Sequence, residues 1–285
     1  MAVGRSSRVG VAAVLLVVII VAVFAITRMR HYVPQAGSGC LVRGRSFEVP
    51  LSPSQAGIAA TIAGVATHRT LPARAVTIAY ATALQESDLQ NLTYGDRDSV
   101  GVFQQRPSQG WGTRSELLDP IYSTGKFFAA LTAVPGYQRM RVYQAAQAVQ
   151  RSADGFAYNQ YAPEGSILAA GFTGRQPRAV WCWYSGAAAG TGRRRLAAAA
   201  RELARVYGPL RIGHAADPAT TVTVGTGPAG WSVATWLVTN ASDYGITFVR
   251  YRGYQWRAAA GQQGWTRYVG TGHQRTPGRL AVAYG

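Results

Sequence analysis

Gln85-Glu86-Ser87-Asp88-Leu89-Gln90-Asn91 ends one helical pattern and opens a long irregular loop that continues through Gly95-Asp96-Arg97-Asp98-Ser99-Val100-Gly101-Val102-Phe103-Gln104-Gln105-Arg106-Pro107. Upstream, Thr70-Leu71-Pro72 marks a helix start, and Ala75, Ile78, Ala79 and Thr82 recur along one face. Glu86 therefore falls where that helix runs out. A carboxylate there meets the negative pole of the helix and partial burial, and both favour its neutral, proton-carrying form. From 91 to 112 the helical period gives way to Gly, Asp, Ser, Gln and Pro, and loops of that length in compact domains are functional or disordered. Folded back on the helix end, this loop would offer Tyr94, Phe103 and Trp111 as an apolar wall and Gln104 or Gln105 as hydrogen-bond donors to a sugar. An acid holding a proton beside a sugar groove is what cleavage of a glycosidic bond requires.

The order of these residues resembles that of the lysozyme-like lytic transglycosylases, in particular the secreted or membrane-anchored wall proteins of high-GC Gram-positive bacteria. In that family a Glu-Ser pair ending a helix is followed, after a loop, by Ser-x-Gly-apolar-apolar-Gln. Here Glu86-Ser87 is followed by Ser99-Val100-Gly101-Val102-Phe103-Gln104, with Gln104 eighteen positions after Glu86. The resemblance covers roughly residues 50 to 160. It implies that Glu86 is the catalytic acid and base and that Ser87 and Gln104 support the site, and Ser99 is a further candidate for binding substrate. It also implies cleavage between MurNAc and GlcNAc, with the substrate's own 6-hydroxyl closing on the anomeric carbon. Hydrolysis would instead need a second carboxylate roughly 5–9.5 Å away. Asp96 and Asp98 are the nearby candidates, and a Gly95-Asp96 turn with Asx-type hydrogen bonds is their structural alternative. A calcium loop starting at Asp96 is excluded, because its twelfth position is Pro107 instead of a bidentate Glu. One family signature, Ala-Tyr-Asn-Ala-Gly in a later helix, is not matched by Ala145-Ala146-Gln147-Ala148-Val149-Gln150-Arg151-Ser152; Tyr158 and Tyr161 come later. That departure keeps open a non-catalytic glycan-binding or wall-assembly protein with a lysozyme-like groove.

Composition bounds the remaining choices. With 285 residues, 48% of them hydrophobic and 14% charged, the chain is too apolar for a disordered tail and long enough for one or two cores. Two cysteines exclude a disulfide-dense scaffold and a four-thiolate zinc site. His31, His68, His214 and His273 are scattered without ligand spacing, so no metal and no cofactor is expected. Twenty-nine Lys+Arg against 12 Asp+Glu give a net charge of +17, which favours polyanionic partners. Lys126 is the only lysine, so the arginine excess of this Ala- and Gly-rich chain reflects coding bias as well as selection. Peptidoglycan glycan strands and anionic cell-wall polymers are therefore the expected partners, with no nucleic acid.

The expected organisation is an N-terminal transmembrane helix, a mainly α lysozyme-like domain and a small α+β C-terminal domain. Val9 to Thr27 carries no charge, and its nineteen residues would span roughly 28 Å of bilayer. Residues 1–30 thus read as a membrane anchor, with a cleaved signal peptide as the alternative. Arg5 and Arg8 before the segment balance Arg28 and Arg30 after it, so charge alone does not orient it. A disulfide between Cys40 and Cys182 would place the bulk of the chain outside the cytosol; two separate buried thiols are the alternative. Residues 31–49 read as a stalk, 50–214 as the lysozyme-like domain, 215–229 as a linker and 230–285 as the small domain. Within them, Ser52-Pro53-Ser54-Gln55 signals a capped helix start, and helical patterns recur at 121–132, 142–152 and 194–207. In the C-terminal part a helix over 231–241 precedes strands at 246–251 and 280–284, with Arg252-Gly253 as a turn. Trp231 and Trp236 read as core, and Trp256 and Trp265 as residues that could stack on sugars.

Overall fold

Ser52 opens the first helix by the reciprocal box that its sequence signals. Its hydroxyl accepts from the Gln55 backbone N–H at 3.2 Å, the Gln55 side chain accepts from the Ser52 N–H at 2.9 Å, and Pro53 occupies the first turn. In the computed structural model, which describes residues 37–151, 155–185, 192–214, 220–268 and 278–284, this is α1 (Pro53–His68). The expected anchor, residues 1–30, lies outside the described residues. Then come α2 (Ala73–Ser87), the single-turn α3 (Arg114–Leu117), α4 (Pro120–Thr132), α5 (Val142–Gln150), α6 (Ala162–Phe172), α7 (Gly192–Tyr207), α8 (Pro228–Thr239) and the short α9 (Ala241–Tyr244). About half of the described chain is helical, and the rest includes two antiparallel sheets. Among the described residues no helix is long and apolar enough to cross a membrane.

The central element is α2, buried continuously from Ala75 to Leu84. Pro72 stands at its cap position and makes no side-chain cap bond, so the Thr70 expected to start it instead turns the chain with φ 53°. At mid-helix, Tyr80 donates to Ala59 O of α1 at 2.7 Å, and burial pushes its phenol well above its ordinary range. α6 crosses α2 at Gly165, where an added Cβ would stand 2.9 Å from Thr77 O and 3.2 Å from Ala81 N. Only a glycine lets the two backbones approach that closely.

The expected stalk is partly a sheet. Gly39–Arg43 and Glu48–Leu51 form β1 and β2, and β1 also pairs with β3 (Val180–Trp183), giving the order β2-β1-β3. The alternation Cys40 and Val42 inward, repeated by Val49 and Leu51, gives the sheet a buried face that its flanking Gly, Ser and Arg residues disguise. Cys40 lies directly opposite Cys182 across β1 and β3, and the two form a disulfide with Cα atoms 4.0 Å apart.

The second sheet runs β4-β5-β9-β6-β7-β8, from β4 (Arg211–His214), β5 (Thr220–Thr223), β6 (Ile246–Tyr251), β7 (Tyr254–Arg257), β8 (Thr266–Arg267) and β9 (Arg279–Tyr284). β6 matches its expected bounds and β9 begins one residue early; β5 and the start of α8 lie in what reads as a linker. α8 packs against both β6 and α1, and Trp231 and Trp236 are core residues on it. Trp256, by contrast, is wholly buried and donates to Cys182 O at 2.8 Å, and half-buried Trp265 donates to Val180 O at 2.7 Å. These two indoles close the outer edge of β3, which corrects the sugar-stacking reading for Trp256. Residues 38–285 form one compact unit.

The Cys40–Cys182 bridge closes a separation of 142 residues, and in the chain-entropy model such a loop stabilises by about 5 kcal/mol. Replacing both cysteines by serine is expected to lower the unfolding free energy by about 3–5 kcal/mol in urea titrations, with an unchanged midpoint as the contrary result.

Candidate active site

α2 ends in two consecutive left-handed residues, Asp88 (φ 53°) and Leu89 (φ 55°). The Leu89 N–H reaches back to Ala83 O at 3.1 Å, the Asp88 N–H to Leu84 O at 3.1 Å, and the Leu89 side chain is wholly buried, so the helix is closed by its own last carbonyls without a glycine. Gln55 of α1 fixes this corner from outside by donating to Asp88 O at 2.9 Å and to its carboxylate at 3.1 Å. The chain is thereby turned sharply just past Glu86 and sent into the loop.

That loop folds back as a tight, internally bonded structure. The Gly101 N–H donates to Leu92 O at 2.7 Å, and Val100 and Gln105 exchange both backbone hydrogen bonds at 3.1 Å. Gly101 takes φ +79° beside Leu117 O, which a Cβ would approach to 2.4 Å. Ser87, 5% exposed, joins helix end to loop: its hydroxyl lies 2.7 Å from Val102 O and 3.1 Å from Ala83 O, and its one proton is best placed on the nearer carbonyl. Next to it Phe103 is fully buried and stacks on Phe127 with ring centroids 4.4 Å apart.

Several residues expected to touch substrate are occupied in building this loop. Gln104 turns its amide inward onto Tyr94 O at 3.3 Å and Gly101 O at 3.1 Å. Gln105 is buried and donates to Ser123 O at 3.2 Å. Ser99 is buried and its N–H closes a turn on Asp96 O at 3.0 Å. Ser87, Phe103, Gln104 and Gln105 thus turn their polar groups or rings onto the protein's own backbone and core, and Ser99 is buried beside them. Trp111 is half-buried against the core, whereas Tyr94 is 71% exposed and offers a ring to solvent.

The two aspartates separate clearly. Asp98 accepts from Arg106 Nε at 2.7 Å, from the Ser108 N–H at 2.7 Å and from the Ser108 hydroxyl at 3.0 Å. These bonds, the Ser108 N–H foremost, hold its carboxyl far below the usual carboxylate range. It is a loop staple fixed in its charged form, already engaged through both oxygens. The Asp96 side chain is 91% exposed and faces Arg97 at 3.9 Å.

Around Glu86 itself the protein places two donors, neither of them among the residues expected to line the site. The Tyr158 hydroxyl donates to Glu86 Oε1 at 2.6 Å, and Gln150 Nε2 donates to the same oxygen at 3.1 Å. Gln150 also donates to Phe103 O at 2.8 Å, so one amide ties the acid to the returning loop. Among the described residues no donor reaches Glu86 Oε2. Tyr158 lies in the 3₁₀ segment Gly155–Tyr161, whose Phe156 is 63% exposed and meets Tyr143 edge-on at 5.2 Å. The sequence did hold a signal for Tyr158. Ala157-Tyr158-Asn159 repeats the first three residues of the signature sought in 145–152, displaced into the segment after α5. Nothing in the sequence marks Gln150. Among the described residues no three of His, Cys, Asp and Glu gather closely enough to hold a metal ion.

No protein-family model matches this chain, and no curated protein matches it at a significant level.

Because the Asp98 carboxyl titrates lower when folded than when unfolded, its contribution is complete above the ordinary carboxylate range and fades as pH falls through its depressed folded value. Asp98→Asn is expected to lower stability at pH 6, with the gap to wild type narrowing below about pH 4. Urea titrations from pH 6 to 2 read this directly; a gap independent of pH would remove the charge from the explanation.

Proposed function

We propose that this chain is a lysozyme-like lytic transglycosylase that cleaves the MurNAc–GlcNAc bond of peptidoglycan with Glu86 as its single acid and base. One observation carries the reading: Tyr158 and Gln150 converge on one oxygen of a half-buried carboxyl at a helix end and leave the other oxygen available. In the first step Glu86 Oε2 gives its proton to the glycosidic oxygen as the bond to the anomeric carbon breaks. The resulting carboxylate then takes the proton from the sugar's 6-hydroxyl as that oxygen closes on the anomeric carbon, which restores the acid and leaves a 1,6-anhydro end. No second carboxylate is needed. The commitment of Asp98 to Arg106 and Ser108 and the exposure of Asp96 favour this route over two-carboxylate hydrolysis.

Tyr158 and Gln150 orient the acid and stabilise its charged form between the two proton transfers. Exposed Tyr94 and Phe156 supply ring faces suited to sugars. The alternative of a non-catalytic glycan-binding or assembly protein drew on the lack of a tyrosine in 145–152, and Tyr158 now stands on the acid. The disulfide fits an extracytoplasmic location, with residues 1–30 as the single-pass anchor. The +17 charge fits retention among anionic wall polymers.

Residues 37–285 incubated with purified peptidoglycan are expected to release anhydro-muropeptides detectable by mass. Glu86→Gln should abolish them, while Tyr158→Phe should slow release by about ten- to a hundredfold, the kinetic equivalent of one charge-assisted hydrogen bond. Products with full-mass reducing ends would exclude the anhydro route, and equal release by wild type and Glu86→Gln would remove Glu86 as the catalyst.

A further inference from the structure

Away from Glu86, four arginines gather where β1 and its turn into β2 lie beside the segment that leads into β3. The Arg43 N–H donates to Ala179 O at 2.8 Å, which sets the two segments side by side. Arg43 and Arg45 thus face Arg175 and Arg178 across a narrow surface, and all four are exposed. Two cavities occupy it. One, of about 600 Å³, is walled by Arg45, Arg175, Gln176 and Pro177 together with Thr77 and Ser166. The other, of about 370 Å³, is walled by Arg43, Arg178, Trp181 and Trp265 and shares Gln176 and Pro177 with the first. Shared walls make them one groove with two wide points.

No carboxylate lines either cavity. Glu48 pairs with Arg43 at 3.2 Å on the surface. Arg45 and Arg175 make no hydrogen bond or ion pair among the described residues. Arg43 and Arg178 instead lie over ring faces, Trp181 at 4.8 Å and Tyr254 at 4.0 Å, which orients their planes and leaves N–H edges for another partner. Guanidinium forks match the paired oxygens of phosphate and carboxylate, and four arginines against the single carboxylate that pairs with Arg43 raise the local concentration of anions in this concave site. Ala73 lines the groove and begins α2, whereas Glu86 is thirteen residues further on, about 20 Å along the helix. The groove is therefore a separate site.

We infer that this groove binds a polyanionic saccharide, one that carries phosphate or carboxylate groups along a sugar or polyol backbone. It rests on the wall-polymer side of the proposed function and on none of the chemistry at Glu86. The repeating charge of such a polymer suits two connected wide points, each with two arginines. The Trp265 flank and the polar amide of Gln176 suit the uncharged backbone between charges.

The test is retention on immobilised polyglycerol phosphate and, separately, on polygalacturonate, at physiological salt. Wild type is expected to bind at least one of them, and which one distinguishes a phosphate from a uronate ligand. Arg45→Glu/Arg175→Glu should weaken that binding at least tenfold. Arg201→Glu/Arg211→Glu, exposed positions with the same charge change elsewhere, should stay within twofold of wild type. Equal weakening by both pairs would reduce the effect to net charge and overturn the site, as would no binding by wild type. Circular dichroism checks that each pair folds. Glu86→Gln should bind as wild type does, and Arg45→Glu/Arg175→Glu should still cleave peptidoglycan stripped of secondary polymers, so the two proposals fail independently.

Discussion

The contact between the Ser87 hydroxyl and Val102 O holds the candidate site together. It is short, buried and shut away from competing water, and it joins the last turn of a largely buried helix to the loop that folds over it. Without it a backbone carbonyl would be buried with no donor, and Phe103 would lose its seat on Phe127. The next carbonyl along, Phe103 O, takes the Gln150 amide. Two successive main-chain oxygens of the loop are thus held from opposite sides, one by the helix that bears Glu86 and one by the amide that also touches it. The acid, its positioning donors and the loop form one bonded assembly.

This arrangement explains why the residues around Glu86 are so unequal in role. A loop of over twenty residues has many backbone groups to satisfy and few regular partners. Gln104, Gln105, Ser99 and Asp98 meet that demand, which is why side chains that look suited to a sugar turn inward instead. Among the side chains left facing outward on the loop are the Tyr94 ring and the Asp96 carboxylate.

Much of this was legible in the sequence, and the limits have physical causes. The Ser52–Gln55 box, the end of α2 near Glu86 and the strand at Ile246–Tyr251 follow from local rules of capping and periodicity, and local rules need no tertiary context. β1 and β2 are only five and four residues long and sit among Gly, Ser and Arg, so their alternation is too brief to stand out from a stalk. β5 reads as linker because its threonines suit either state, and its pairing with β9 is contact across a long stretch of chain. Tyr158 stands in the sequence only as one of two tyrosines after α5, and it is a 3₁₀ segment that carries it back to the acid. Gln150 is one glutamine among several on that helix, and its role depends on which face meets the loop.

The indole N–H groups of Trp256 and Trp265 occupy alternate carbonyls on the free side of β3. An uncovered strand edge is a template for pairing with other chains. The C-terminal sheet therefore does for β3 what a further strand would do, without adding one. It follows that the N-terminal helical half is not a self-sufficient module that can be cut out and grafted elsewhere. Released from its C-terminal partner, it would present two unpaired carbonyls beside an apolar strand and tend to self-associate.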